Sequence, residues 1–214
     1  MAPSERAASD ADAAERLQRQ IAFIVEADRL KGVLRKTTLC DGSRAENSAE
    51  HSWHLALMVT VLGEHAEQGV DNARVLRMLL VHDLVEIDAG DTFAYDVAAN
   101  VGRETRELLA AERIFGLLPS AQAVEFRALW EEFEAQATVD ARFAAALDRL
   151  QPLLNNHHSG GGSWRAHGVT REQVERRMRP IEVALPALWP LVRDIVDRNC
   201  AVGHIKPPAT PGEP

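Results

Sequence analysis

The 214-residue sequence is short of cysteine, of long apolar runs and of net positive charge, and each shortage removes a class of protein. Its two cysteines, Cys40 and Cys200, stand far apart and outside any CxxC spacing. That argues against a disulfide framework and a thiolate zinc site, and it fits a reducing cytoplasm. No stretch reaches the ~18 consecutive apolar residues that a membrane-spanning helix needs, so no membrane partner is expected. With 24 Lys and Arg against 32 Asp and Glu, the formal charge is −8. Proteins that bind duplexes neutralise phosphates with Lys and Arg, so a nucleic acid polymer is not an expected partner either. A small phosphorylated molecule stays accessible, because one metal ion and a few arginines can handle a single phosphate. Convincing period-two alternation and internal repeats are also missing.

What is present is an ordinary globular composition, 46% hydrophobic and 26% charged, in a length that suits one domain. The expected organisation is a disordered tail over 1–13, one domain over 14–200 and a second disordered tail over 201–214. The first tail has no apolar core, so it is not expected to act as a signal peptide. Helical periodicity runs almost throughout, and the expected fold class is all-α. A first helix is expected over 14–33, with Leu17, Ile21, Ile24 and Leu30 facing inward. Residues 35–47 read as a connecting loop. Asn47-Ser48-Ala49-Glu50 has the spacing of a capping box and opens a helix carrying His51, Leu55, Met58 and Leu62 on one stripe. Asp71 caps the next helix, which is expected to continue to Ile87 and end near Gly90. Further helices are expected over 100–118, 120–137, 138–154 and 170–200, the last kinked or broken by Pro180, Pro186 and Pro190. The glycine-rich stretch 155–168 reads as a loop, either a flexible connection or a lid.

His82 and Asp83 stand side by side within Val75-Leu76-Arg77-Met78-Leu79-Leu80-Val81-His82-Asp83-Leu84-Val85. An imidazole and a carboxylate among aliphatics are costly to desolvate, and a divalent cation compensates both. His51 and Asp148 offer the same chemistry from other helices. Together the four make a nitrogen and oxygen set for one divalent ion, Mn, Co, Fe, Zn or Mg, with coordination positions left open, as in catalytic sites. Each has a plainer reading alone: His51 as a hydrogen-bonded core residue, His82-Asp83 as a surface pair, Asp148 as an ion-pair partner of Arg149 or Arg142. Their conjunction is the signal.

The pattern His51…His82-Asp83…Asp148 resembles that of the HD-domain metal-dependent phosphohydrolases. The likeness extends through His82-Asp83-Leu84-Val85-Glu86, Gly90-Asp91 and Arg44-Ala45-Glu46-Asn47-Ser48-Ala49-Glu50-His51, which look like the 5'-deoxynucleotidase subgroup. It covers residues 17–154 and implies a single-domain helical HD-domain bundle. It also implies one divalent metal ion on His51, His82, Asp83 and Asp148, with Glu86 and Asp91 catalytic and Arg35 binding substrate. The implied reaction converts a (deoxy)ribonucleoside 5'-monophosphate to nucleoside and phosphate. Lys36 stands where the bacterial relative has a Trp that excludes a ribose 2'-hydroxyl, so both sugars stay open. Members of the subgroup are dimers, which implies a homodimer. A phosphatase of a non-nucleotide substrate and a catalytically silent helical partner-binding protein are the rival readings.

Overall fold

The computed structural model describes residues 3–96 and 98–207. Its elements run α1 (Pro3–Ala27), β1 (Leu34–Thr38), β2 (Ala45–Asn47), α2 (Ser48–Leu62), α3 (Asn72–Val81), α4 (Glu86–Ala89) and α5 (Arg103–Phe115). They continue with α6 (Ser120–Ala135), α7 (Val139–His158), α8 (Gly162–His167), α9 (Arg171–Ala184) and α10 (Trp189–Ala201). Helices dominate, as the periodicity requires, and α7 runs through their middle. Phe143, Ala144, Ala145, Ala146 and Leu147 are consecutive and wholly buried, so this helix is apolar all round at its centre. One apolar cluster joins Leu55, Val75, Leu79, Leu147, Val174 and Ile181; a second joins Phe23, Val81, Leu84, Ile114 and Trp130. The chain passes from the first cluster to the second between Leu79 and Val81, beside His82 and Asp83. No helix among the described residues is long and apolar enough to cross a membrane.

The caps follow the sequence. Asn47 accepts from the Glu50 amide and Glu50 accepts from the Asn47 amide, completing the capping box of α2. Asp71 caps α3 by accepting from Ala73 and Arg74.

Several expectations need correction. Residues 35–47 are not a plain loop: β1 and β2 pair antiparallel, Leu34 with Asn47 and Thr38 with Ala45. The pattern hides them because the inward positions carry Arg35 and Glu46 rather than apolar side chains. The helix expected to reach Ile87 stops at Val81 and restarts at Glu86. Between them the amides of Leu84, Glu86 and Ile87 bond to carbonyls three residues back, tightening the backbone to a period near three. The stripe Leu17, Ile21 and Ile24 does not face inward; these residues are 58%, 51% and 62% exposed, and Phe23 and Leu30 are the buried ones.

Helix α1 begins at Pro3, and the Ala, Glu and Arg content of its first residues suits a helix. At the other end Ile205 is buried, and Lys206 bonds through its backbone to Val169 and Arg171, so residues 201–207 belong to the fold. The remaining tail expectations, 1–2 and 208–214, lie outside the described residues. The long last helix divides at Pro186, as its prolines imply, while Pro180 is tolerated inside α9. The 155–168 stretch is not a plain loop. Helix α7 extends to His158, and Asn156 Oδ1 accepts from Ser163 Oγ at 2.9 Å and from the Trp164 amide at 3.3 Å. Gly161 has φ 91°, and a Cβ there would come within 2.7 Å of His204 Cβ, so glycine is required for tight packing.

Candidate metal centre

His51 lies one turn into α2, wholly buried, and its two ring nitrogens meet different partners. Nδ1 is 3.0 Å from Gln151 Oε1, and Nε2 is 3.0 Å from Asp148 Oδ1. Gln151 Nε2 donates to Glu46 Oε1 at 2.6 Å, which turns the amide oxygen toward His51. Gln151 stands three residues after Asp148 on α7 and so shares its face. Glu46 arrives from β2. These two residues brace His51, and helical spacing alone could have flagged Gln151.

His82 lies just past α3, packed with its ring 4.8 Å from that of Phe133. Its Nδ1 donates to the Leu79 carbonyl at 2.7 Å, which leaves the lone pair on Nε2. That Nε2 is buried without a hydrogen-bond partner. Asp83 Oδ1 is 3.0 Å away but out of hydrogen-bond alignment, and Asp148 Oδ1 is 3.9 Å away. Burial lowers the imidazole pKa, against the pull of Asp83 and Asp148, so His82 stays neutral.

One ligand atom from each of His51, His82 and Asp83 can be chosen so that all lie within 4.8 Å of one another, and Asp148 Oδ1 lies 3.0 Å from His51 Nε2 and 3.9 Å from His82 Nε2. An orphaned buried imidazole nitrogen facing carboxylate oxygens is the environment a divalent cation completes. The residues therefore fit the expected ion. Burial would raise Asp148, but the hydrogen bond from His51 and the charge of Arg177 hold its carboxyl well below the usual range. Its ion-pair partner is thus Arg177 of α9, 3.6 Å from Oδ2, and neither Arg149 nor Arg142.

Arg35 reaches in from β1. Its guanidinium lies 3.0 Å from Asp83 Oδ2 and 3.5 Å from Asp91 Oδ1, and its Nε is buried without a partner. Glu86 lines the same cavity of about 120 Å³ as His82, Asp83, Asp91 and Asp148. The tightened backbone sets Glu86 over Asp83, three residues back, rather than over His82. Burial and then Asp83 raise its pKa well above the carboxylate range, with Arg35 opposing. Ser48, three residues before His51, donates to Glu86 Oε2 at 2.6 Å. Asp91 is also raised by burial, again against Arg35. All seven residues singled out in the sequence are gathered here. Ser48, Glu46, Gln151, Arg149 and Arg177 join them without having been assigned a role in advance.

The sequence profile of a family described as HD domain matches residues 27–189. A human protein named 5'-deoxynucleotidase HDDC2 is 32% identical over 111 residues, which are 52% of this chain and 53% of that protein. A Schizosaccharomyces pombe protein named 5'-deoxynucleotidase hdd1 is 25% identical over 141 residues, 62% of this chain and 68% of that one. This chain thus spans about half the length of the human relative. A crystal structure described as a predicted metal-dependent phosphohydrolase from Magnetospirillum magnetotacticum MS-1 is 52% identical with a TM-score of 0.86, covering 90% of this chain and 100% of the other.

Proposed function

The chain belongs to the HD-domain family, and from that premise we propose that it is a metal-dependent phosphomonoester hydrolase acting on nucleoside 5'-monophosphates. The observation that carries the reading is the orphaned Nε2 of His82 among His51, Asp83 and Asp148. Those four residues would hold the divalent ion. What the ion supplies is Lewis-acid polarisation of a phosphoryl oxygen and activation of water.

The remaining residues divide the work of in-line displacement, which needs positioning and charge neutralisation more than covalent help. Arg35 grips the phosphate through a planar fork suited to two oxygens. Glu86, held protonated, gives its proton to the leaving 5' oxygen as the ester bond breaks. Ser48 fixes which way that carboxyl faces. Asp91 orients the incoming water. Gln151 and Glu46 keep His51 from rotating off the ion.

A homodimer is part of the reading. Leu17, Ile21 and Ile24 on α1 and Trp53, Leu57 and Val61 on α2 form two exposed apolar rows, an unusual load for a monomer surface. Names given to the relatives favour deoxyribonucleotides. The test is a matrix of divalent metals against ribo- and deoxyribonucleoside monophosphates, read by phosphate release. Release from 5'-monophosphates that depends on the metal is expected. Stoichiometric metal with no turnover of any monoester would overturn the activity and leave a metal-binding partner protein.

A further inference from the structure

Four arginines line the cavity beside the metal ligands, and they are not equally engaged. Arg35 sits on Asp83 and Asp91. Arg103 donates to Glu107 at 2.6 Å. Arg177 stays 3.6 Å from Asp148 Oδ2, the oxygen turned away from the His51 contact at Oδ1. Arg149 has no ion pair among the described residues. Its two terminal nitrogens donate to the Ala145 carbonyl at 2.7 Å and to Gln136 Oε1 at 3.3 Å, and both acceptors are neutral.

A largely buried guanidinium whose two hydrogen-bond acceptors are both neutral, beside a second guanidinium and lining a cavity, is placed to take an anionic partner. The backbone beneath it is also unusual. Gln136, which ends α6, is the one non-glycine residue with positive φ among the described residues, at 50°. Left-handed geometry is unfavourable for a side chain with a Cβ, and strain of this kind gathers at binding sites. Here it presents the Gln136 amide oxygen to Arg149.

We propose that Arg149 and Arg177 form a second anion grip in the same cavity as Arg35, which takes the non-bridging oxygens of the phosphoryl group. Arg177 holds its place against Asp148 Oδ2, and Arg149 is positioned by Gln136. The phosphate is then held by arginines from β1, α7 and α9. The grip rests on the phosphohydrolase reading above, since it assumes a phosphoryl group at the metal ligands.

Inorganic phosphate is the probe, titrated calorimetrically into full-length protein loaded with whichever of manganese, cobalt or zinc it retains stoichiometrically. Arg149→Met and Arg177→Met are expected to weaken phosphate binding by roughly 10- to 100-fold each, as charge-assisted hydrogen bonds do. Metal content by elemental analysis should be unchanged, and Arg193→Met, on the exposed face of α10, should bind phosphate as the parent does. Gln136→Ala should produce a smaller loss with Arg149 still present. Should Arg149→Met fail to fold by circular dichroism, Arg149→Lys and Gln136→Ala carry the test, because neither removes a core side chain. Parent-like phosphate binding in these variants, in a protein that does hydrolyse monoesters, overturns the grip and leaves the hydrolase reading intact. Weakened phosphate binding in a protein that turns over no monoester does the reverse.

Discussion

His51 Nε2 faces Asp148 Oδ1 at 3.0 Å while the opposite nitrogen of the same ring faces Gln151 Oε1 at 3.0 Å. Both nitrogens thus meet acceptors, which a neutral imidazole cannot satisfy with its single N–H. A cation must stand between His51 and Asp148, either a proton or a metal ion.

The first prediction follows from that exchange. Burial and Arg35 oppose protonation of His51, but the hydrogen bond to Asp148 and the nearby Glu46 carboxylate prevail and push its pKa up to about 9. Metal binding to chelated protein near neutral pH should therefore release a proton, and apparent affinity should fall about tenfold per pH unit below about 9. The folded pKa exceeds the usual value of 6.5, so this ring's contribution to the stability of chelated protein is complete below about 6.5 and is lost as pH rises through about 9. Metal titrations in buffers of differing ionisation enthalpy check the proton count. An affinity independent of pH over that span would contradict the assignment.

Glu86 is the subject of the second. Glu86→Gln keeps an oxygen for Ser48 but has no acidic proton to give, so metal content should hold while turnover falls ~10²- to 10⁴-fold. Asp83→Ala should lose metal and turnover together. Elemental analysis beside phosphate release separates the two, and a Glu86→Gln enzyme as fast as the parent would remove the residue from the chemistry.

Stability offers a third. Asn47→Ala deletes the acceptor of the α2 capping box and should cost ~1 kcal/mol, lowering Tm by about 2–4 °C. Thr170→Ala in the corresponding box of α9 should cost a similar amount. Thermal melts compare them, and metal retention should suffer more in the α2 variant because that helix carries His51.

The exposed rows give a fourth. Trp53 is 65% and Leu57 45% exposed on the outer face of α2, opposite His51 and Leu55. Trp53→Asp with Leu57→Asp should convert a dimer to monomer without loss of helix content. Light scattering after size exclusion gives the mass, and an unaltered mass would place the interface elsewhere.

The sequence was readable wherever local rules and burial agreed. Asn47 and Glu50 announced their helix through a box that needs only four residues. His51, His82, Asp83 and Asp148 could be found because polar residues interrupt apolar stripes. Legibility failed where function reversed the pattern. Arg35 and Glu46 occupy the inner positions of β1 and β2, so the strands carried no alternation to detect. Leu17, Ile21 and Ile24 form a good stripe, but periodicity says that a face is apolar, not what covers it. Arg177 comes from α9, twenty-nine residues beyond Asp148 in the numbering, and no spacing rule reaches that far.

The opening turn of α2 holds the box at Asn47 and Glu50, the Ser48 hydroxyl against Glu86, and His51 itself. Helix ends open at far lower free energy than whole domains. A single fraying event there would displace His51 and free Glu86 from its Ser48 partner at once, with every other helix intact. Warming should accordingly abolish the proposed phosphate release some degrees before the bundle melts, a gap that inactivation curves laid over circular dichroism would expose.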